Sequence, residues 1–440
     1  MTKDLGTARQ EQEESGDSPE GKRRGLRKLL SSVVVDIRPL KVPAFRRLWV
    51  STAVTSLGSQ LTVVAVPAQI FDITHSSAYV GLTGAVAVVP LLVFGIWGGA
   101  IADTVDRRKL LLFGNVGIAI VSALLWLQAF VGLGSVWVVL ALLGLNQAFF
   151  AVNMPTRSAV IARLVPSNLL PAANALGSTV VSFGAVFGPM AAGALLPVLG
   201  LSTLYLLDTI ALIITLWAVF RLPAMPPLSG TIRRAGIRDV LDGFKYMAAQ
   251  KVLLASFVVD VIAMVFGMPR ALFPEMAERT FGDPPGGGIA LGWMFAAIPI
   301  GAMVIGLLSG WLGKVRRQGV AVAIAICAWG AAMIGFGLAD SLWLAVVFLM
   351  LGGMADMVSA VYRMAILQTA ATDEMRGRMQ GAFTVVVAGG PRLADMTHGW
   401  AAAGVGTAAA ASGGGALVIV AVLVACALLP AFWKYRAKTT

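Results

Sequence analysis

The stretch AYVGLTGAVAVVPLLVFGIWGGAIADTVDRRKLLLFGNVGIAIVSALLWLQAF, residues 78–130, holds the pattern that decides the fold. Two apolar runs, each long enough to cross a bilayer as a helix, flank a short polar link with three consecutive basic residues. The stretch therefore predicts two transmembrane helices joined by a basic loop.

The same pattern recurs along the chain. Of its 440 residues, 58% are hydrophobic and only 13% are charged, and the mean hydropathy is +0.83. A soluble domain of this length needs far more charged surface, so lipid is the solvent of this protein. We predict an all-α membrane protein with about twelve spans, near 48–72, 78–102, 110–132, 136–161, 172–197, 201–221, 251–275, 288–313, 319–339, 342–370, 379–403 and 413–433.

The basic residues are distributed unevenly over the predicted loops. They concentrate before the first span, after the second, in the central loop, after the eighth span and at the end of the chain. The other loops carry almost none, with Arg270 and Arg279 as the main exceptions. This asymmetry predicts that both termini lie in the cytoplasm. The net charge of +12 is thus a topology signal, and we discount nucleic acid as a partner.

The span pattern divides the chain into two halves. A polar tail, residues 1–24, is predicted to be disordered. Residues 25–42 place apolar side chains at helical spacing among basic ones, which indicates either an amphipathic interfacial helix or a plain basic linker. Two six-helix bundles, 43–221 and 251–440, are predicted on either side of a cytoplasmic linker, 222–250.

An internal repeat supports the two halves. A shift of 206–207 residues places five residues of the first half on identical residues of the second: Pro67 on Pro274, Gly99 on Gly306, Arg157 on Arg363, Gly184 on Gly390, and Gly193 on Gly399. Such repeats are typical of secondary transporters, in which the substrate site lies between the halves.

The link after the second span, GGAIADTVDRRKLL, carries Gly99, Asp103, Arg107 and Arg108. A carboxylate at a helix end beside basic groups can form a charge relay that stabilises one conformation. The spacing resembles the loop motif of the major facilitator superfamily, although Thr104 and Asp106 depart from it. A second copy, GLLSGWLGKVRR, lacks the acid. The alternative is that these charges only anchor the topology.

The fifth span contains GAVFGPMAAG, with Gly184, Gly188, Pro189 and Gly193. Small residues four apart allow two helices to pack backbone to backbone, and proline bends the helix. The segment resembles the motif of exporters in that superfamily, with Ala192 in place of one glycine. It favours export over import; the alternative is ordinary helix packing.

Few ionisable residues fall inside the predicted spans, and each is a functional candidate because burying charge in lipid is costly. Arg392, Asp395 and His398 follow one another at steps of three, so that Arg392 and Asp395 form either a structural ion pair or part of a proton-coupling group. The remaining candidates for coupling or substrate contact are Asp260 and Asp356, the latter two turns before Arg363 and a possible partner of it. We interpret Asp208 as structural.

Asp260 is the preferred proton carrier. Desolvation favours the neutral form of a carboxyl group, whereas an arginine partner favours the charged form. If Arg392 pairs with Asp395, then Asp260 is the better carrier.

Polar side chains on the first and fourth spans are candidates to line a central cavity. They are Gln60, Gln69, Asn146 and Asn153, with the repeat-related Arg157 and Arg363 nearby. The alternative is that they satisfy hydrogen bonds between helices.

No nucleotide-binding loop, zinc motif or nucleophile elbow is present, and the two cysteines lie within apolar segments. The sequence therefore predicts neither an enzyme nor a bound metal or cofactor, and a proton gradient is the expected energy source. The expected partners are membrane lipid, protons and a small-molecule substrate, with the chain acting as a monomer.

Several stretches outside these motifs resemble the bacterial enterobactin exporter branch of the superfamily. They include PAFRRLW, VAVPAQIFDITHSSAYVGL, LFPEMAERTF, FAAIPIGAMVIGLLSG and MAILQTAATDEMRGRMQGAF. The resemblance implies export of a siderophore across the cytoplasmic membrane by proton antiport. The branch also contains drug exporters, so that multidrug efflux is the alternative. A nutrient importer and a non-transporting membrane sensor are the further alternatives.

Overall fold

A computed structural model describes residues 36–102, 104–226, 237–370 and 373–433. All regular elements in these ranges are helices, which confirms the predicted all-α class. The tail, 1–24, and most of the 25–42 segment lie outside the described residues. Within the remainder of that segment, Arg38–Lys41 forms one short 3-10 helix.

The first half contains five long helices, of which the fifth is bent back on itself. They are α1 (Pro43–Thr74), α2 (Ser77–Ala102), α3 (Arg107–Phe130), α4 (Val136–Leu164) and α5 (Leu170–Phe220). At Gly200 the backbone has φ +76°, a left-handed conformation that glycine adopts without steric cost. This residue divides α5 into a first arm, 170–199, and a second arm, 201–220.

The second half begins with a short linker helix. Its helices are α6 (Ile237–Ala249), α7 (Lys251–Gly267), α8 (Phe273–Arg279), α9 (Ile289–Leu307), α10 (Gln318–Gly337), α11 (Leu342–Ala370), α12 (Asp373–Val405), α13 (Thr407–Leu428) and α14 (Pro430–Trp433). The linker helix α6 packs on α12. The division of the chain at 221 and 251 stays a prediction.

By length and composition, the described chain supplies eleven of the twelve predicted membrane crossings. Ten segments of the described chain are long and apolar enough to cross a membrane. One of them, Ser167–Phe220, turns at Gly200 and so makes two crossings. The 33-residue helix α12 is not among these ten segments, so the predicted crossing at 379–403 stays a prediction.

The halves touch along two seams. In the first half, α1 packs on α5, α2 on α4, and α3 on both α4 and α5; in the second, α10 packs on α11 and α13, and α9 on α11. Between the halves, α2 packs against α12 and α5 against α9. We call the side of the molecule where α3 begins, at Arg107, the basic side, and the opposite side, where α1 ends, the far side.

Candidate functional site

The first seam joins α5 to α9 through glycines. A methyl group added to Gly193 would lie 2.7 Å from the carbonyl oxygen of Gly288 and 2.8 Å from Cα of Gly292. A methyl group on Gly292 would lie 2.6 Å from the carbonyl oxygen of Pro189. Part of the predicted export motif therefore forms the contact between the halves. Its other two glycines lie against α1 instead, Gly184 beside Ser56 and Gly188 beside Gln60.

The second seam, between α2 and α12, repeats this arrangement. A methyl group on Gly399 would meet the carbonyl oxygen of Ser77 and would lie 2.8 Å from Cα of Gly81. In each seam a glycine thus faces a carbonyl oxygen and the Cα of a glycine four residues later. Gly193 and Gly399 are also partners in the sequence repeat, so the two seams are pseudosymmetric.

A third connection between the halves lies on the far side, and we call it the far-side latch: Phe71, His75 and Ser77 on one half, Glu275 and Arg279 on the other. Ser77 Oγ donates to Glu275 Oε2 at 2.5 Å. Arg279 donates to Glu275 Oε1 at 2.6 Å and to the carbonyl oxygen of His75 at 3.2 Å. Its guanidinium also lies 5.5 Å from the Phe71 ring centroid. The sequence marked Arg279 only as an exception to the charge pattern.

On the basic side, the acid of the loop motif, Asp103, lies outside the described residues, while Gly99 lies in the last turns of α2. The predicted relay stays a prediction. Arg108 is bound within its own half, because its Nη2 donates to the carbonyl oxygen of Phe220 at 2.5 Å and its guanidinium stacks over the Phe220 ring.

Asp106, which departs from the motif, has two roles that sequence reasoning missed. One carboxylate oxygen caps α3 by accepting from the backbone N–H groups of Arg108 and Lys109, at 2.8 and 3.3 Å. The other accepts from the backbone N–H of Met225 at 3.1 Å. Arg163 adds a bond to the carbonyl oxygen of Pro226 at 2.5 Å. Asp106, Arg108 and Arg163 form what we call the linker clamp, which fixes residues 220–226.

In the second half, Asp260 and Asp356 share the guanidinium of Arg363, and we call these three residues the Asp260 cluster. Arg363 Nη1 lies 2.5 Å from Asp260 Oδ1 and Nη2 lies 3.7 Å from Asp356 Oδ1. The shorter contact is an ion pair without the angle of an aligned hydrogen bond. Asp260 and Arg363 are buried, with 0% and 3% of each side chain exposed, whereas Asp356 is 34% exposed.

Asp260, and not Asp395, therefore has an arginine partner, namely Arg363. This contradicts the premise on which Asp260 was preferred as the proton carrier, which was that Arg392 pairs with Asp395. The pair expected between Arg392 and Asp395 is not formed in the described part of the chain, and Asp395 Oδ1 is buried without a hydrogen bond. The two side chains differ in their surroundings, since Asp395 is buried at the seam with α2 whereas Arg392 is only half-buried. Gly84 of α2 lies against this turn of α12, where a methyl group on it would be 2.9 Å from Asp395 Cβ. His398 lies one turn further along, with Nδ1 3.1 Å from the carbonyl oxygen of Ala394.

Gln69 and Asn153 are buried inside the first half, which corrects their prediction as cavity residues. The amides of Gln69 and Gln128 exchange hydrogen bonds of 3.1 and 3.0 Å, and the Tyr205 hydroxyl donates to Gln69 at 2.9 Å. Asn153 Oδ1 lies 2.6 Å from the position of a methyl group on Gly114 of α3.

Three other candidates remain partly exposed: Gln60, Asn146 and Arg157. Arg157 has no hydrogen bond or ion pair among the described residues, in contrast to its repeat partner Arg363.

The chain resembles known transport proteins along most of its length. It is 33% identical over 355 residues to enterobactin exporter EntS of Shigella boydii serotype 18, covering 78% of this chain and 81% of that protein. The Escherichia coli O1:K1 enterobactin exporter EntS matches with the same identity and coverage.

Solved structures with the same fold are also transporters. A bacterial homologue of the lysosomal transporter Spinster aligns with a TM-score of 0.67 at 15% identity, over 90% of this chain and 97% of its own. The human organic anion transporter MFSD10 aligns with a TM-score of 0.61 at 17% identity, over 89% and 100%. Residues 35–437 match the model of a family described as transmembrane secretion effector. The chain belongs to this family, within the major facilitator superfamily of transporters.

Proposed function

We propose that this transporter exports a bulky amphipathic small molecule across the bacterial cytoplasmic membrane in exchange for protons, and that a siderophore of the enterobactin type is its cargo. The observation that carries the proposal is the similarity to enterobactin exporters over about four fifths of their length, 81%. The basic side faces the cytoplasm and the far side faces outward, as the distribution of Lys and Arg predicts.

The Asp260 cluster supplies a site at which a proton can bind. One guanidinium beside two carboxylates leaves an excess negative charge when both acids are ionised. An uncompensated charge inside a membrane protein is costly, and one proton removes it. Asp356 is 34% exposed, so the cluster is reached from the surface of the protein through this side chain. Because Asp260 and Asp356 share one guanidinium, Asp260 can take part in proton coupling even though it is paired with Arg363.

The proton gradient provides enough energy for useful export. One elementary charge that crosses 100 mV releases about 2.3 kcal/mol. At ~1.4 kcal/mol per decade of concentration, this sustains roughly a 40-fold gradient of a neutral substrate.

The test is a comparison of culture medium from wild-type and deletion strains, grown with and without iron. We expect the deletion strain to lose a catecholate compound from the medium under iron limitation and to accumulate it in the cells. The wild-type gene should restore secretion. Unchanged medium together with increased sensitivity to toxic drugs would contradict siderophore export and identify a multidrug efflux pump.

A further inference from the structure

A column of buried polar side chains runs through the first half, between α1, α3 and the second arm of α5. Towards the far side it consists of Gln69, Gln128 and Tyr205. Its centre consists of Thr62, Ser122, Asp208 and Thr209. Towards the basic side, the hydroxyl groups of Thr55 and Thr215 meet, and Thr215 also bonds the carbonyl oxygen of Ser51 at 3.3 Å. The only carboxyl group of this column is that of Asp208.

Asp208 is bound asymmetrically. The residue is only 3% exposed. Its Oδ2 accepts hydrogen bonds from the hydroxyl groups of Thr62, at 2.7 Å, and Ser122, at 2.9 Å. Oδ1 is buried and has no hydrogen-bond partner. The backbone of α1 approaches this oxygen closely, because a methyl group on Gly58 would lie 3.0 Å from Oδ1.

Among the residues that the structure describes, no positive charge is close enough to balance an ionised Asp208. The described basic residues of the surrounding helices lie towards the basic side: Arg46 and Arg47 on α1, Arg107, Arg108 and Lys109 on α3, Arg157 and Arg163 on α4, and Arg221 after α5. Thirteen residues of helix, or about 20 Å, separate Asp208 from Arg221. The other titratable groups of these helices are Asp72, near the end of α1, and Tyr205, which is one turn from Asp208 and fully buried.

An ionised carboxylate in this position costs several kcal/mol, since two neutral hydroxyl donors do not replace the water that it loses. A proton removes the charge without requiring space. A metal ion would require several oxygen ligands, and the hydroxyl groups of Thr62 and Ser122 are both directed to Oδ2.

We propose that Asp208 is a proton-binding site of the first half, separate from the Asp260 cluster, and that it holds its proton in the conformation described. This assignment deepens the proposed proton coupling, because each half of the transporter then carries one proton site. It also replaces the purely structural interpretation of Asp208.

The test is infrared spectroscopy of the purified full-length protein in lipid nanodiscs, at near-neutral pH. The carbonyl stretch of a protonated carboxylic acid is distinct from the carboxylate bands. We expect the Asp208→Asn variant to lose one such band, and the Ser122→Ala variant to shift the same band because one hydrogen bond to Oδ2 is removed. The matched control, Asp395→Asn, should leave this band in place.

Three results would overturn the assignment. They are equal acid bands in the wild type and the Asp208→Asn variant, disappearance of the band when sodium is added at constant pH, and, should Asp208→Asn not fold, an Asp208→Glu variant with an unshifted band. The measurement needs no cargo. Failure of siderophore export would therefore leave this site intact, and failure here would leave the proposed export untouched.

Discussion

Ser77 Oγ donates to Glu275 Oε2 at 2.5 Å, and this hydrogen bond joins the first residue of α2 to a helix of the other half. Together with the bonds from Arg279 to Glu275 and to the His75 carbonyl oxygen, it holds the halves together on the far side. A transporter that works by alternating access must separate its halves on this side to release cargo. If this chain exports its cargo in that way, as we propose, the far-side latch breaks once in every cycle.

The Glu275→Ala change should shift the conformational equilibrium towards the state that is open on the far side. Hydrogen bonds to charged groups contribute about 1.5–3 kcal/mol, so their loss should change the equilibrium by roughly tenfold or more. Distances between spin labels on Ser76 and Thr280 would report the opening. Glu278→Gln on the same helix is the matched control, and equal distance distributions for both variants would show that the latch has no energetic role.

The seam glycines should be sensitive to a single added methyl group. In the Gly292→Ala variant, Cβ would lie 2.6 Å from the carbonyl oxygen of Pro189, a distance that forces the helices apart. Export should fall at least about fivefold, since overpacking typically costs 1–3 kcal/mol. Gly306→Ala, on the same helix with nothing within 4 Å of the added methyl group, should retain activity. Equal activity of the two variants at equal membrane levels would refute close packing at the seam.

The linker clamp should act on stability. Asp106→Ala removes a helix cap and the bond to the Met225 N–H, so that we expect a loss of about 1–3 kcal/mol and a lower Tm of the purified protein. Lys109→Gln, on the same turn with an exposed side chain, is the control. An unchanged Tm for Asp106→Ala would contradict this structural role.

Asp103→Asn should affect transport and not stability, the reverse of the result expected for Asp106→Ala. If Asp103 forms the predicted charge relay, its neutralisation should greatly reduce transport while expression and Tm remain normal. Wild-type transport by this variant would mean that the loop sets topology alone.

The features that could be predicted are those that depend on the pattern of residues along the chain. Apolar runs and basic loops predict the spans, and the repeat relates Gly193 to Gly399, which occupy equivalent places in the two seams. The latch was not predictable, because Ser77 and Glu275 are separated by 198 residues and nothing in either segment indicates the other. Asp106 is a similar case, because its partner Met225 is 119 residues away.

The residues that the sequence placed wrongly fall into two cases. Gln69 has its hydrogen-bond partners on two other helices, at Gln128 and Tyr205, so its identity alone could not decide between a cavity and the interior of the bundle. The pair of Arg392 and Asp395 was expected from their spacing, but spacing places only the Cβ atoms. Here the backbone of Gly84 packs against this turn and the side chains do not pair.

Proton coupling makes the strictest prediction. Asparagine at position 260 cannot bind a proton, and Arg363 would then be balanced by Asp356 alone, so that the Asp260 cluster becomes neutral without a proton. The assays use proteoliposomes and the cargo identified from the medium. In vesicles without internal cargo, Asp260→Asn should abolish accumulation driven by a pH gradient. In vesicles loaded with cargo, the same variant should preserve exchange of cargo down its own gradient. Asp260→Glu keeps an acid and should retain part of the coupled activity. Accumulation by Asp260→Asn at the wild-type rate would exclude this cluster. Asp208 and Asp395, in each of which Oδ1 lacks a partner, would then become the candidates to test next.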